Sequence, residues 1–444
     1  MSISATSGVI SNIDYETLIT QLVNVKRLSI TQLETEKSTL EDKKSAYETL
    51  SSRVTDLKSA ADDLSTADAF KVFTASVTDE NILGAAVSSG ASKGSYSVIV
   101  NAIARSHKIA ADGVASDTST IAAGAGSFSF QVGALAVQTV SVDAATTLAG
   151  LSDSINSLNS GVTATIVNDG GAANPYRLIL TSDNTGTANA VTITQNDTSL
   201  AFSTTLQAAQ DASITVDGLA CTRPSNTVTD IIAGVTLDLK SSDPAKTVTV
   251  NVSRDTEEIS KKVTALVDKY NAVVSWITSN NRYDSETQTS GAFFGESVAR
   301  SVWDDLRRGM QSSISGLPDT MNRLLHIGVK SDTNGVMSLD ASKLTSALSS
   351  NFDDVVKLFE DGASTKGFGG LVYDMANGIT DFADGRITVK GKGLAKNISR
   401  IDDDILKKEA EVTQYEEQVR AQFIGLETML ASLKNQQNYL SGLY

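Results

Sequence analysis

The chain has 444 residues, with 52 acidic against 37 basic side chains and a net charge of −15. That length exceeds what one hydrophobic core can serve and points to roughly two to four domains. The acidic balance excludes nucleic acid and anionic membranes as partners, because both require a basic face.

No apolar run approaches the roughly 20 residues that span a bilayer, so membrane insertion is not expected. The start, MSISATSGVISNIDYETL, has no basic region followed by an apolar one. It therefore does not read as a general secretion signal, and the chain is either cytoplasmic or exported by a route that ignores such signals.

Residues 1–39 are amphipathic with a slipping heptad. Leu18, Leu22 and Val25 keep step, but Lys26 and Ser29 then take seam positions. Such a pattern specifies no partner, so this segment is expected to be flexible in the free subunit and to order only on contact. From Leu40 the 3-4 alternation becomes regular: Leu40, Tyr47, Leu50, Val54, Leu57 and Leu64 share a stripe that only Lys43 breaks. Residues 40–75 are read as the N-terminal helix of a stalk domain.

The composition then changes. Residues 76–253 hold 14 acidic and 7 basic side chains and are rich in Ser, Thr, Ala, Gly and Val. Strand-like runs appear at 96–102, 128–132, 137–142, 162–167, 177–181, 190–194, 213–216, 235–239 and 247–252. One helix interrupts at 148–158. This predicts a first β head domain from 76–124 and 201–253, with a second α+β head domain, 125–200, inserted in it.

Helical patterning returns over 254–429. Helices are predicted at 259–274, 296–313, 351–360 and 368–383, with a hairpin of 324–329 and 336–339 around Asp332-Thr333-Asn334-Gly335. Gly391 and Gly393 are taken to precede a long last helix. Its stripe runs through Ile405, Val412, Tyr415, Val419 and Leu426, and at about 1.5 Å per residue the helix spans roughly 65 Å. A stripe so narrow and long needs a partner of matching length, and the 40–64 stripe is the nearest. The fold class predicted is multidomain α+β: a terminal antiparallel coiled coil or helical bundle with inserted, mainly β head domains. Leu50 should then lie near Val419. Residues 430–444 form a second flexible end, and Leu430, Leu433 and Leu440 join Leu18, Leu22 and Val25 as expected filament or oligomer contacts.

Catalytic signals are weak, and neither an enzyme nor a bound cofactor or metal is expected. His107 and His326 are too few and too far apart in sequence for a His-ligated metal or a triad. Asp402-Asp403-Asp404 point about 100° apart on a helix and do not converge. Cys221 permits no intramolecular disulfide and reads as a small strand hydrophobe.

Several segments together resemble the flagellar filament cap family, hook-associated protein 2. They are Gly8–Leu22 (GVISNIDYETLITQL), Tyr47–Val54 (YETLSSRV), Gly328-Val329 with Gly335–Asp340 and Lys343-Leu344, and the ending Tyr415–Tyr444. Gly161–Val167, Tyr176–Ser182 and Gly186–Asn189 are similar to a repeat inserted in flagellins, hooks and caps. The opening departs from the usual pattern at Ser11 and Asn12.

The resemblance implies a secreted protein at the distal tip of the bacterial flagellum, exported unfolded through the flagellar type III apparatus. Copies would form a homo-oligomeric ring that retains exported flagellin and promotes its folding and insertion. The partners implied are flagellin and the filament tip, hook–filament junction proteins, an export chaperone before secretion and, for some members, host mucin. Two alternatives stay open on the residues: a flagellin-like or junction protein, and a surface glycan-binding adhesin or glycan-active enzyme.

Overall fold

The computed structural model describes residues 13–88, 90–363 and 365–441. The chain divides into two compact units, one from residues 1–70 and 256–444, the other from 71–255.

The first unit is helical. Asp14 starts α1 (Tyr15–Asp62) by accepting the Thr17 backbone N–H at 3.1 Å, which satisfies one of the orphan donors of the first turn. The same contacts hold the Asp14 carboxyl below its ordinary range, with the Thr17 hydroxyl bond the largest cause. The helix therefore begins far earlier than residue 40, inside the segment expected to be flexible. Residues 1–12 and 442–444 of the two expected flexible ends lie outside the described residues.

Towards the end of α1 Leu50, Val54 and Leu57 are fully buried, as is Leu64 just beyond it. Their partners in the same cluster include Ile259, Val263, Leu266 and Tyr270 of α3 (Thr256–Asn280), Val302 and Leu306 of α4 (Ser297–Met310), and Val372 and Ala376 of α7 (Phe368–Thr380). α5 (Ala341–Ser350) and α6 (Phe352–Phe359) close the cluster through Leu344, Leu358 and Phe359. The last helix, α8, runs from Arg386 to Ser441. Gly391 and Gly393 fall inside it rather than before it. Residues 324–327, read as strand, form a 3-10 turn instead. The left-handed backbone of Gly328 (φ +100°) follows, where a Cβ would lie 2.8 Å from the Asp340 carbonyl.

The second unit holds two separate apolar clusters. Its strands are β1 (Phe73–Val77), β2 (Leu83–Val87), β3 (Gly94–Ala102), β4 (Ser106–Ala110), β5 (Gly126–Val132), β6 (Gln138–Val142), β7 (Val162–Asn168) and β8 (Tyr176–Thr185), continuing with β9 (Val191–Asn196), β10 (Thr204–Gln207), β11 (Ala212–Val216), β12 (Leu219–Arg223), β13 (Thr227–Ile232), β14 (Val235–Leu239) and β15 (Val248–Arg254). One cluster lies between a five-stranded sheet, β1-β15-β3-β11-β12, and a three-stranded sheet, β13-β14-β2. The other lies between β10-β4-β8-β7 and β6-β5-β9, with α2 (Leu148–Ser157) supplying Leu148, Leu151 and Ile155. Period-two burial, as in β15 and β14, is what places one face of each sheet inward. Cys221 is half-buried on β12.

The two clusters join where the chain crosses between sheets. Gly186 sits at φ +99° with the Pro224 Cβ 2.5 Å from where its own Cβ would be. Thr185 donates to the Pro224 carbonyl at 2.6 Å, and Asp211 accepts both the backbone N–H and the hydroxyl of Thr187. Only glycine fits there, by backbone angle and by space. Gly186→Ala is expected to cost about 1–3 kcal/mol, read as a lower urea midpoint of the full chain with native far-UV dichroism.

Candidate functional site

The described residues contain no group of three or more His, Cys, Asp or Glu placed to hold a metal ion. Both histidines serve the backbone: His107 Nδ1 accepts the Val191 N–H at 3.0 Å, and His326 Nδ1 accepts the Arg323 N–H at 3.3 Å. Lys37 and Lys407 pair with Asp402 and Asp404. No described helix is long and apolar enough to cross a membrane. The feature that stands out is instead the pairing of α1 with α8.

Three contacts fix the direction and register of that pair. Arg420 Nη2 donates to Glu16 Oε2 at 3.0 Å, Lys37 Nζ lies 2.7 Å from Asp402 Oδ1, and Lys390 Nζ sits 5.9 Å from the Tyr47 ring centre. As residue numbers rise along α1, their partners fall along α8, so the helices are antiparallel. Ile19, Val23 and Ile30 meet Val412 and Val419, with Ile405, Tyr415 and Phe423 half-buried beside them. The Tyr15 and Phe423 rings stand 4.8 Å apart. Lys26, at the position where the apolar heptad slips, lies 5.3 Å from the Tyr415 ring centre. The basic side chains on this seam are held by cross-pairs with α8 rather than excluded.

This register differs from the one the stripes suggested. Tyr47, Leu50, Val54, Leu57 and Leu64 do not face α8 residues 405–426; they form the core with α3, α4 and α7, and Leu40 packs at its edge. Ile405, Val412, Tyr415 and Val419 pair with residues 19–30 instead. Leu50 and Val419 are thus not neighbours. The reason lies in the spacing. Before Tyr47, the inward positions of α1 include 19, 23, 30, 33, 37, 40 and 44; beyond it they include 50, 54, 57 and 61, with Leu64 just past the helix end. A three-residue slip at Tyr47 rotates the apolar stripe from α8 towards α3.

At that turning point the elements are tied together. Glu296, which precedes α4, receives Lys43 Nζ at 3.0 Å, Lys390 Nζ at 2.7 Å and the Tyr47 hydroxyl at 3.2 Å. Burial by itself would push the Glu296 carboxyl up, but the hydrogen bonds from Lys390 and Lys43 hold it below the ordinary glutamate range. The Tyr47 hydroxyl is pushed up, by burial first and by the Glu296 charge second.

Several apolar side chains of the two helices are uncovered. Val25 and Leu28 on α1 are 65% and 61% exposed, and Met429 on α8 is 62% exposed. Leu18, Leu22, Leu426 and Leu433 are also exposed, while Leu430 is half-buried. The side chain of Leu440 lies outside the described residues. Leu22, Val419, Phe423 and Leu426 line a shallow groove along the pair. Of the residues expected to make contacts, Leu18, Leu22, Val25 and Leu433 thus present apolar surface, and Leu426, expected inside the seam, joins them. Met429 was among the exposed apolar positions expected at the C-terminal end; Leu28 was missed, though legible as an apolar position off the seam.

Long terminal helices paired antiparallel, with a charge-poor β unit inserted between them in sequence, are the plan of a structural subunit of an assembly. The comparisons agree. "Flagellar hook-associated protein 2 C-terminus" matches residues 209–435, its N-terminal counterpart matches 11–107, and "Flagellin hook IN motif" matches 120–184. The chain is 28% identical to flagellar hook-associated protein 2 of Escherichia coli K12, over 98% of this chain and 96% of that one. It is 31% identical to that of Salmonella typhimurium, over 67% and 66%. It superimposes on the crystal structure of the D1-D2-D3 domains of the Escherichia coli flagellar cap protein FliD with a TM-score of 0.62 at 26% identity, covering 79% of this chain and 99% of that one.

The chain belongs to the flagellar hook-associated protein 2 family. Its function is that of a flagellar cap, which retains flagellin at the filament tip. It self-associates, engages the filament and acts outside the cell as part of the flagellum.

Two outcomes follow from the Glu296 joint. Glu296→Gln leaves Lys43 and Lys390 without their counter-charge and should destabilise the helical unit by about 1–3 kcal/mol, measured by chemical denaturation. Because the Glu296 pKa is lower folded than unfolded, its contribution is full above the unfolded value and fades as pH falls through the folded one. The wild type should therefore lose more stability than the variant between about pH 5 and pH 3; parallel losses would remove Glu296 from the account.

Proposed function

We propose that the α1–α8 pair is a leg of the cap, an antiparallel coiled coil whose outer stripe binds the end of the filament. The observation that carries this is the set of exposed apolar side chains at this end of the pair: Leu18, Leu22, Val25, Leu28, Leu426, Met429 and Leu433. A stripe this long on a soluble helix pair marks a surface that something else covers. Copies form a closed ring, and the ring's rotational symmetry differs from that of the filament. Not every leg can be satisfied at once, so an unmatched leg leaves an opening where exported flagellin folds and inserts. Each insertion exchanges one set of weak contacts for another.

The organisation that serves this has three parts: the helical unit with its legs, a β domain built on the β1-β15-β3-β11-β12 sheet, and a further α+β domain around α2 inserted into it. Flagellin and the hook–filament junction proteins are the partners of the legs. An export chaperone covers the same apolar stripe before secretion, since that stripe is a liability in a free chain. The alternative of a flagellin-like filament protein predicts fibres, where the cap reading predicts closed rings in electron micrographs.

Val25→Glu with Met429→Glu tests the leg directly. The two side chains are 65% and 62% exposed, so helicity and melting temperature should stay within error of wild type. Filament length on a strain lacking its own cap should fall at least tenfold. Normal filaments from a folded double variant would contradict the leg assignment.

A further inference from the structure

A second uncovered feature lies in the helical unit. Phe382, in the turn between α7 and α8, is 88% exposed, and no other large apolar side chain among the described residues is as exposed. The turn that carries it is held in shape. The Asp381 carboxylate accepts the Ala383 N–H at 2.8 Å, and the Asp381 carbonyl accepts the Gly385 N–H at 3.0 Å. Lys392 Nζ donates to the Phe382 and Ala383 carbonyls at 3.2 and 3.3 Å and lies 5.4 Å from the Phe382 ring centre. A preformed turn loses little conformational freedom on docking. The ring stands between two carboxylates, Asp381 and Asp384.

The same unit carries a groove of about 470 Å³. Exposed Arg323, Leu325 and Lys330 form its mouth, and buried Met310, Val329 and Met337 line its depth. None of the described residues that line it is acidic, in a chain of net charge −15. The groove and the Phe382 turn lie on opposite sides of α4. Ser301 and Asp305 face the start of α8, where Arg386 donates to them at 2.9 and 2.6 Å. Trp303 and Arg307 face the hairpin that carries Val329 and Met337: a Cβ on Gly335 would lie 3.2 Å from Trp303 Nε1 and 3.5 Å from Arg307 Cδ. At about 100° per residue these two faces of α4 are about 160–200° apart. Phe382 therefore does not reach the groove of its own chain.

We propose that Phe382 of one copy enters this groove of the next, so that copies of the chain join head to tail. The contact rests on the ring reading under the proposed function and supplies the surfaces that build the ring. The occupant is a second copy because the two surfaces complement each other. The ring fills an apolar slot between two methionines, which adapt to what enters. Asp381 and Asp384 then come to Arg323 and Lys330 at the mouth. Two copies at −15 each repel, and an acidic turn on a basic mouth offsets that where they touch. A contact between two different surfaces leads from copy to copy in one direction and closes into a ring where the rotation allows. Met310 lies five residues beyond Asp305 on α4, about 8 Å along the helix, so the step from copy to copy is mostly sideways. One side chain in a groove buries less than the roughly 1,200–2,000 Å² of a free-standing interface. The contact is therefore weak alone, and ring closure multiplies it.

The test uses the full chain. Sedimentation velocity over a range of concentrations should show self-association, weakened about tenfold or more by Phe382→Ser and by Arg323→Glu/Lys330→Glu. All three positions are exposed, so both variants should melt as the parent does. Each variant keeps one half of the contact. At a concentration where neither associates alone, an equal mixture should give heterodimers and nothing larger. A parent that stays monomeric, unchanged association in both variants, or a mixture that does no better than its components would each overturn the contact. Lost filament growth with association unchanged would give the groove to a different protein and overturn it too. Closed rings that persist in both variants would overturn the contact and leave the ring standing. Heterodimers from the mixture with open chains from the parent would uphold the contact and overturn the ring. The Val25→Glu/Met429→Glu chain should keep this association, so the contact and the leg fail separately.

Discussion

Lys43, Tyr47 and Lys390 converge on the half-buried carboxylate of Glu296, and this joint sets where the two ends of the chain change partners. On one side of it α1 belongs to a globular core. On the other side it has only α8 against its inner face. The carboxylate is worth its desolvation because two ammonium groups and a phenol satisfy it from two helices at once. A change of register at this point would move the stripe of Ile19, Val23 and Ile30 off Val412 and Val419 and expose the seam in place of the outer face.

The exposed stripe is a consequence of geometry rather than of composition alone. Two helices can cover only the narrow face each turns to the other. α1 and α8 are 48 and 56 residues long, and both carry apolar residues on more than that face. The surplus stays outside. In a monomer it is a liability; in the leg proposed above it is the working surface.

Much of this was legible in the sequence. The fall in charge density over 76–253 marks the inserted β unit, whose compact boundary falls at 71–255. The α8 stripe was read through Ile405, Val412, Tyr415 and Val419, which do lie on its inner face. What the residues did not reveal was the partner. Heptad matching treated 40–64 and 398–426 as complementary because each is regular, yet regularity in 40–64 serves α3, a shorter helix closer in the fold. The true partner stripe, 19–30, looked broken because Lys26 sits in it, and a lysine over a tyrosine ring does not show in a hydrophobic count. Local pattern fixes which face is buried; it does not fix what buries it.

The register can be measured with spin labels in a Cys221→Ser chain, at the exposed positions Thr20 and Ala421 in one sample and Glu48 and Ala421 in another. Pulsed dipolar spectroscopy should give a short separation, under about 20 Å, for the first pair. The second should be more than about 35 Å, since 28 residues of helix at about 1.5 Å each lie between Thr20 and Glu48. A short separation for Glu48 and Ala421, with a long one for Thr20 and Ala421, would contradict the pairing on which the account rests.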